Sequence, residues 1–87
     1  MKAERLLYLQ GGLCFYCRRK LDLSNATIEH VIPKSMGGKD AENNVVVCCR
    51  AINALFADMT PKEKIEALIA WHGPMPCPEN RAGLGKN

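Results

Sequence analysis

Hydrophobic positions fall into several short groups along the chain, and each group has its own period. Leu6, Leu9 and Leu13 recur at intervals of three and four, which predicts a helix over residues 2–10, stopped by Gly11-Gly12. Residues 26–32 are short and rich in β-branched side chains and read as a strand. Pro33, which has no N–H for a ladder, closes that strand. Residues 34–43 are polar and contain Gly37-Gly38, a loop. The run Val45-Val46-Val47 makes 44–48 a second strand, antiparallel to the first if the loop folds back. From 50 to 57 the period turns helical, with Ile52, Leu55 and Phe56 on one side. A further helix starts at Thr60-Pro61-Lys62-Glu63, where Thr60 is the N-cap, Pro61 suits the first helical position and Glu63 completes a capping box. Ile65, Leu68, Ile69 and Trp71 are its expected packing face, and Gly73-Pro74 ends it.

The order is helix, Cys-rich turn, strand, long loop, strand, helix, helix. That is a small α+β domain over residues 1–73. Residues 74–87, with three prolines, two glycines and Cys77, read as an extended tail.

Length adds a constraint that the pattern does not carry. A chain of 87 residues buries little apolar surface, so a staple or tight packing is needed. The five cysteines, at 14, 17, 48, 49 and 77, are an odd number, and Leu6 to Leu9 is too short an apolar run for a signal sequence or a membrane span. An intracellular, reducing setting without a membrane partner is the expectation, and there closely spaced cysteines hold metal more often than they pair. Cys14-x2-Cys17 has the spacing of a zinc knuckle, and Cys48-Cys49 lies about thirty residues on as a source of further ligands. A second Cys-x2-Cys is interrupted, because Ile52 stands where its last cysteine would be. The alternative for these thiols is burial in a small core.

Charge is modest overall at +3, but residues 1–50 hold eight Lys and Arg against five Asp and Glu, while the remainder is balanced at four and four. Arg18, Arg19 and Lys20 form the densest basic run, a feature that attracts polyanions. The same half contains Glu29-His30 in a β-branched setting, followed at once by a proline and the glycine pair. Asn44 lies fourteen positions after His30, and Asn53 nine after Asn44.

The segment from Glu29-His30 through Pro33, Gly37-Gly38, Asn44 and Cys49 to Asn53 resembles the HNH endonucleases, the ββα-metal nucleases, in the variant whose last position is Asn. The resemblance spans about residues 14–57. It implies a two-stranded hairpin followed by a helix, and cleavage of DNA phosphodiester bonds with one divalent cation, Mg²⁺, Mn²⁺ or Ni²⁺. It implies that His30 is the general base, that Glu29 and Asn53 are oxygen ligands of the ion, and that Asn44 ties down the loop after His30. A structural zinc on Cys14, Cys17 and Cys49, its fourth ligand open, completes the implied set. Phe56 departs from the pattern, since many members carry Lys there. Arg18, Arg19, Lys20, Lys34, Lys39 and Arg50 are the candidate phosphate contacts, with Lys34 and Lys39 flanking the loop beside His30.

The chemistry suits these residue types. Imidazole, with an unperturbed pKa near 6.5, accepts a proton from water at neutral pH, and a hard divalent ion prefers oxygen donors. Geometry qualifies one assignment: neighbours on a regular strand face opposite ways, so Glu29 shares the site of His30 only if the strand twists or ends there. His72, near the predicted helix end, is accounted for by the helix dipole. A non-catalytic zinc-knuckle module, binding nucleic acid or protein through Cys14, Cys17 and the basic run, is the competing function. A homodimer or a larger DNA-processing assembly suits so small a domain, although no residue argues for either.

Overall fold

The computed structural model describes residues 2–71. Cys77, His72, the Gly73-Pro74 stop and the tail lie outside the described residues. Within them the chain forms α1 (Ala3–Leu9), β1 (Ala26–His30), β2 (Val45–Cys49), α2 (Arg50–Phe56) and α3 (Pro61–Ala70), with short 3₁₀ turns at Leu23–Asn25 and Lys34–Met36. The class is α+β, a two-stranded antiparallel sheet with three helices. No helix among the described residues is long and apolar enough to cross a membrane.

β1 and β2 pair from Ala26 opposite Cys49 to His30 opposite Val45. β1 is thus two residues shorter than its composition suggests. All five residues of β2 are buried, so it reads as a continuous apolar run rather than an alternating one. Its outer edge is covered by a side chain: Gln10 accepts from the Val47 N–H at 2.8 Å and donates to the Val47 carbonyl at 2.9 Å, replacing a third strand at that position. The core gathers Leu6 from α1, Tyr16 and Leu21 from the Cys-rich turn, the three valines, and Ile52 and Phe56 from α2. Tyr16 and Phe56 meet edge to face with ring centres 4.8 Å apart.

The capping box forms at α3 as expected, with Glu63 N–H donating to Thr60 Oγ1 and Thr60 N–H to Glu63 Oε1. Of its expected packing face, Leu68 alone packs against the core. Ile65, Ile69 and Trp71 are each more than half exposed, and the helix instead turns Lys64 inward, only 3 % exposed, beside Ala67 and Leu68. The reason is a buried carboxylate: Glu29 is also 3 % exposed, and the Lys64 ammonium reaches it at 2.5 Å. An unpaired ion in that position would be strongly destabilising, so the pair sets how α3 docks.

Candidate active site

His30 is the last residue of β1, with its side chain 21 % exposed. Beyond it the backbone leaves the ladder. Val31 N–H still donates to the Asn44 carbonyl at 2.9 Å, but in a regular strand successive carbonyls point to opposite edges, whereas those of His30 and Val31 both accept from Lys64 Nζ, at 2.7 and 3.0 Å.

The loop that follows is closed by Asn44, which is buried. Its Oδ1 accepts from the Ile32 N–H at 2.9 Å, and its Nδ2 donates to the carbonyls of Ile32 and Lys39 at 3.1 and 3.0 Å. One amide therefore joins the loop's two ends, using the donors and acceptors that only Asn or Gln combines. The glycines have distinct roles. Gly37 sits at φ +93°, in the left-handed region. Gly38 is a close approach: a Cβ there would lie 1.7 Å from the Ile32 carbonyl oxygen and 2.9 Å from Asn44 Nδ2.

Folding the loop back delivers Asp40 to the histidine. His30 Nε2 and Asp40 Oδ1 are 2.5 Å apart, and the other carboxylate oxygen lies 3.2 Å from Lys34 Nζ. The hydrogen bond with His30, then that with Lys34, holds the Asp40 carboxyl below the usual carboxylate range, so it is ionised at neutral pH. An ionised carboxylate accepts from Nε2–H and leaves Nδ1 as the basic nitrogen.

Glu29, expected as a metal ligand beside His30, is not part of this group. The strand stays regular through Glu29, so alternation turns its side chain into the core. Both its oxygens are engaged there, Oε1 by Lys64 and Oε2 by the Tyr16 hydroxyl. The Tyr16 phenol is pushed far above its usual value, by burial first and by the Glu29 carboxylate next. Asn53, half-buried on α2, donates from Nδ2 to the Ile28 carbonyl at 3.1 Å and so braces β1 two residues before His30.

The cysteines pack as core residues. Cys14, Cys17, Cys48 and Cys49 are all buried and none is in a disulfide. Cys17 N–H approaches Cys14 Sγ at 3.4 Å, the turn geometry expected of a knuckle. Among the described residues, however, no three His, Cys, Asp or Glu side chains come together as a metal-binding group. The donor set expected for zinc on Cys14, Cys17 and Cys49 is thus not assembled, and Ile52, fully buried, fills the neighbouring core volume with hydrocarbon. Of the two oxygen ligands expected for a catalytic ion, Glu29 is held by Lys64 and Tyr16.

The Cys48 thiol, ordinarily at 9.0, is pushed up to about 12, by burial and then by Cys14. Cys48 and Tyr16 both hold their protons more tightly in the folded chain than in the unfolded one. Their contribution is therefore complete below about pH 9 and is lost as the pH rises towards 12, at up to about 1.4 kcal/mol per group for each pH unit. The thermal midpoint is expected to fall over that range, and a Cys48→Ala variant, less stable at pH 8, is expected to fall less steeply. A flat midpoint between pH 9 and 11 would contradict this placement.

Arg18, Arg19, Lys20, Lys34, Lys39 and Arg50 are all exposed. Lys34 is the one of the six within ion-pair distance of Asp40, and Arg50 donates to the Ser24 carbonyl at 3.0 Å. Sequence reasoning missed Asp40, Lys64 and Tyr16. The first had a weak signal, an acid at the end of the Gly-Gly loop. The other two had none, because a lysine on a helix and a tyrosine beside a cysteine are ordinary surface and core choices.

A hairpin, a His at the end of its first strand, an Asn-closed loop and a following helix are the elements of a ββα-metal domain. The family model described as HNH endonuclease matches residues 14–68, and the chain belongs to that family. Over 42 residues it is 43 % identical to a protein of Vibrio cholerae serotype O1 biovar El Tor named "Retron Vc95 putative HNH endonuclease". That stretch is 48 % of this chain and 20 % of the relative, so the chain matches about a fifth of that protein's length. Membership supports nuclease activity at the level of the family, whose members generally use a divalent metal.

Proposed function

We propose that this chain is an endonuclease that hydrolyses phosphodiester bonds of DNA, with His30 as the general base and Asp40 as the residue that orients it. The observation that carries this reading is the His30–Asp40 pair, set on a loop that Asn44 closes at both ends. Nε2–H donates to Asp40, and Nδ1 takes a proton from a water whose oxygen attacks phosphorus. The bond from phosphorus to the 3′ oxygen breaks, leaving a 5′-phosphate and a 3′-hydroxyl once the departing oxygen is protonated from solvent. The Asp40 carboxylate stabilises the imidazolium that forms, as a buried acid does in a Ser-His-Asp triad, although here the acid is exposed and its effect correspondingly smaller. Lys34 and Lys39 flank the loop and are the assigned phosphate contacts nearest His30, with Arg18, Arg19, Lys20 and Arg50 extending the basic surface.

No step is assigned to a divalent ion, because Glu29, one of its two expected ligands, is held in the core by Lys64 and Tyr16. The metal requirement is instead read from experiment. Supercoiled plasmid incubated with the full chain and Mg²⁺, Mn²⁺ or Ni²⁺ is expected to be nicked or linearised with 5′-phosphate ends, and a chelator is expected to stop the reaction. Salt-sensitive DNA binding without strand scission under any of these ions would contradict the proposal and favour the non-catalytic module. Asp40→Asn is expected to lower kcat roughly tenfold with little change in KM.

A further inference from the structure

We propose that Lys64 is a positioning residue for His30, so that α3 belongs to the active site. Three bonds converge on its ammonium. One, to Glu29 Oε1, neutralises a buried acid, and the other two, to the carbonyls of His30 and Val31, fix consecutive peptide planes at the point where β1 ends. The His30–Val31 peptide plane and the direction of the His30 Cα–Cβ bond share the same backbone torsions. A donor that holds both carbonyls therefore limits where the imidazole can point. The loop side of His30 is held by Asn44 and Asp40, and the strand side by Lys64. The Phe56 ring centre, 6.0 Å from Nζ, closes the pocket with an apolar face that keeps the ammonium from water.

A purely structural lysine would need only the Glu29 contact. The ammonium places two of its three donors on main chain beside the reacting group, on the carbonyls of His30 and Val31, where the strand pairing of β1 ends with His30 opposite Val45. Glu29 in turn holds Lys64 in place, with Tyr16 donating to its second oxygen.

The activity arm of the test rests on the nuclease reading, and its spectroscopic arm does not. Lys64→Met alone leaves the Glu29 carboxylate buried without its cation and is expected to unfold readily. The decisive variant is Glu29→Gln/Lys64→Met, which removes both charges at similar volume, and its thermal midpoint is expected to recover much of the loss. If Lys64 positions His30, the recovered fold still cleaves plasmid about 100-fold more slowly, with KM within about twofold of the native value. The His30 ring signals in a ¹H–¹⁵N spectrum shift or broaden relative to the native chain. Unchanged His30 ring signals in this double variant overturn the inference, whatever the cleavage rate. If the native chain itself does not cleave, the nuclease reading fails, and the ring signals alone decide the role of Lys64.

Discussion

Gly38→Ala is expected to abolish cleavage and to cost about 3 kcal/mol of stability. The added methyl would sit 1.7 Å from the Ile32 carbonyl oxygen, a separation no side-chain rotation relieves because the obstacle is main chain. The loop can admit it only by moving Ile32 away from Gly38, and Ile32 is the residue whose N–H and carbonyl Asn44 holds. Loss of that clasp frees Asp40 from His30. Gly37→Ala makes the comparison: it meets no atom within 4 Å and is strained only by its positive φ, so it is expected to cost about 1 kcal/mol and to retain partial activity. Urea denaturation and plasmid cleavage measured on both variants separate close approach from backbone conformation.

Glu29→Ala is expected to be the most destabilising single change in the core, by about 3–5 kcal/mol, because it leaves the Lys64 ammonium buried without its counter-ion. Had Glu29 been an exposed metal ligand beside His30, the same change would abolish activity and leave the thermal midpoint nearly unmoved. The midpoint of the variant therefore distinguishes the two placements independently of any nuclease assay, and a value within about a degree of the native chain would contradict the buried one.

Much of the fold was legible in the sequence because its signals are local. The β-branched runs, the Gly-Gly loop, the glycine stop after α1 and the capping box at Thr60 each depend on residues a few positions apart, and the elements form where those signals lie. The strand ends moved by one or two residues, since a ladder stops where its partner stops. The packing face of α3 was not legible. Ile65, Leu68 and Ile69 make an apolar stripe that outweighs one lysine on any local count, yet a buried carboxylate thirty-five residues earlier in the chain draws Lys64 inward and turns Ile65 and Ile69 to solvent.

The site divides in the same way. His30 and Asn44 stand out by type and interval. Strand alternation alone was enough to question Glu29, and the observed core placement follows from it. Asp40 depends on how the loop folds back across ten residues, and Lys64 on a contact between α3 and β1. Neither leaves a mark in spacing. The zinc expectation rested on Cys14-x2-Cys17, a good half-site, but ligand sets close in three dimensions, and Ile52 interrupts the other half.

The central claim is that His30 activates the water that cleaves DNA, and its most direct measurement is the single-turnover cleavage rate of native chain and His30→Ala on the same duplex, with a divalent ion present and folding verified by circular dichroism. A folded variant slower by about 10²–10⁴ is the predicted result, the range a positioned general base supplies. A folded His30→Ala chain that cleaves at the native rate would contradict the account.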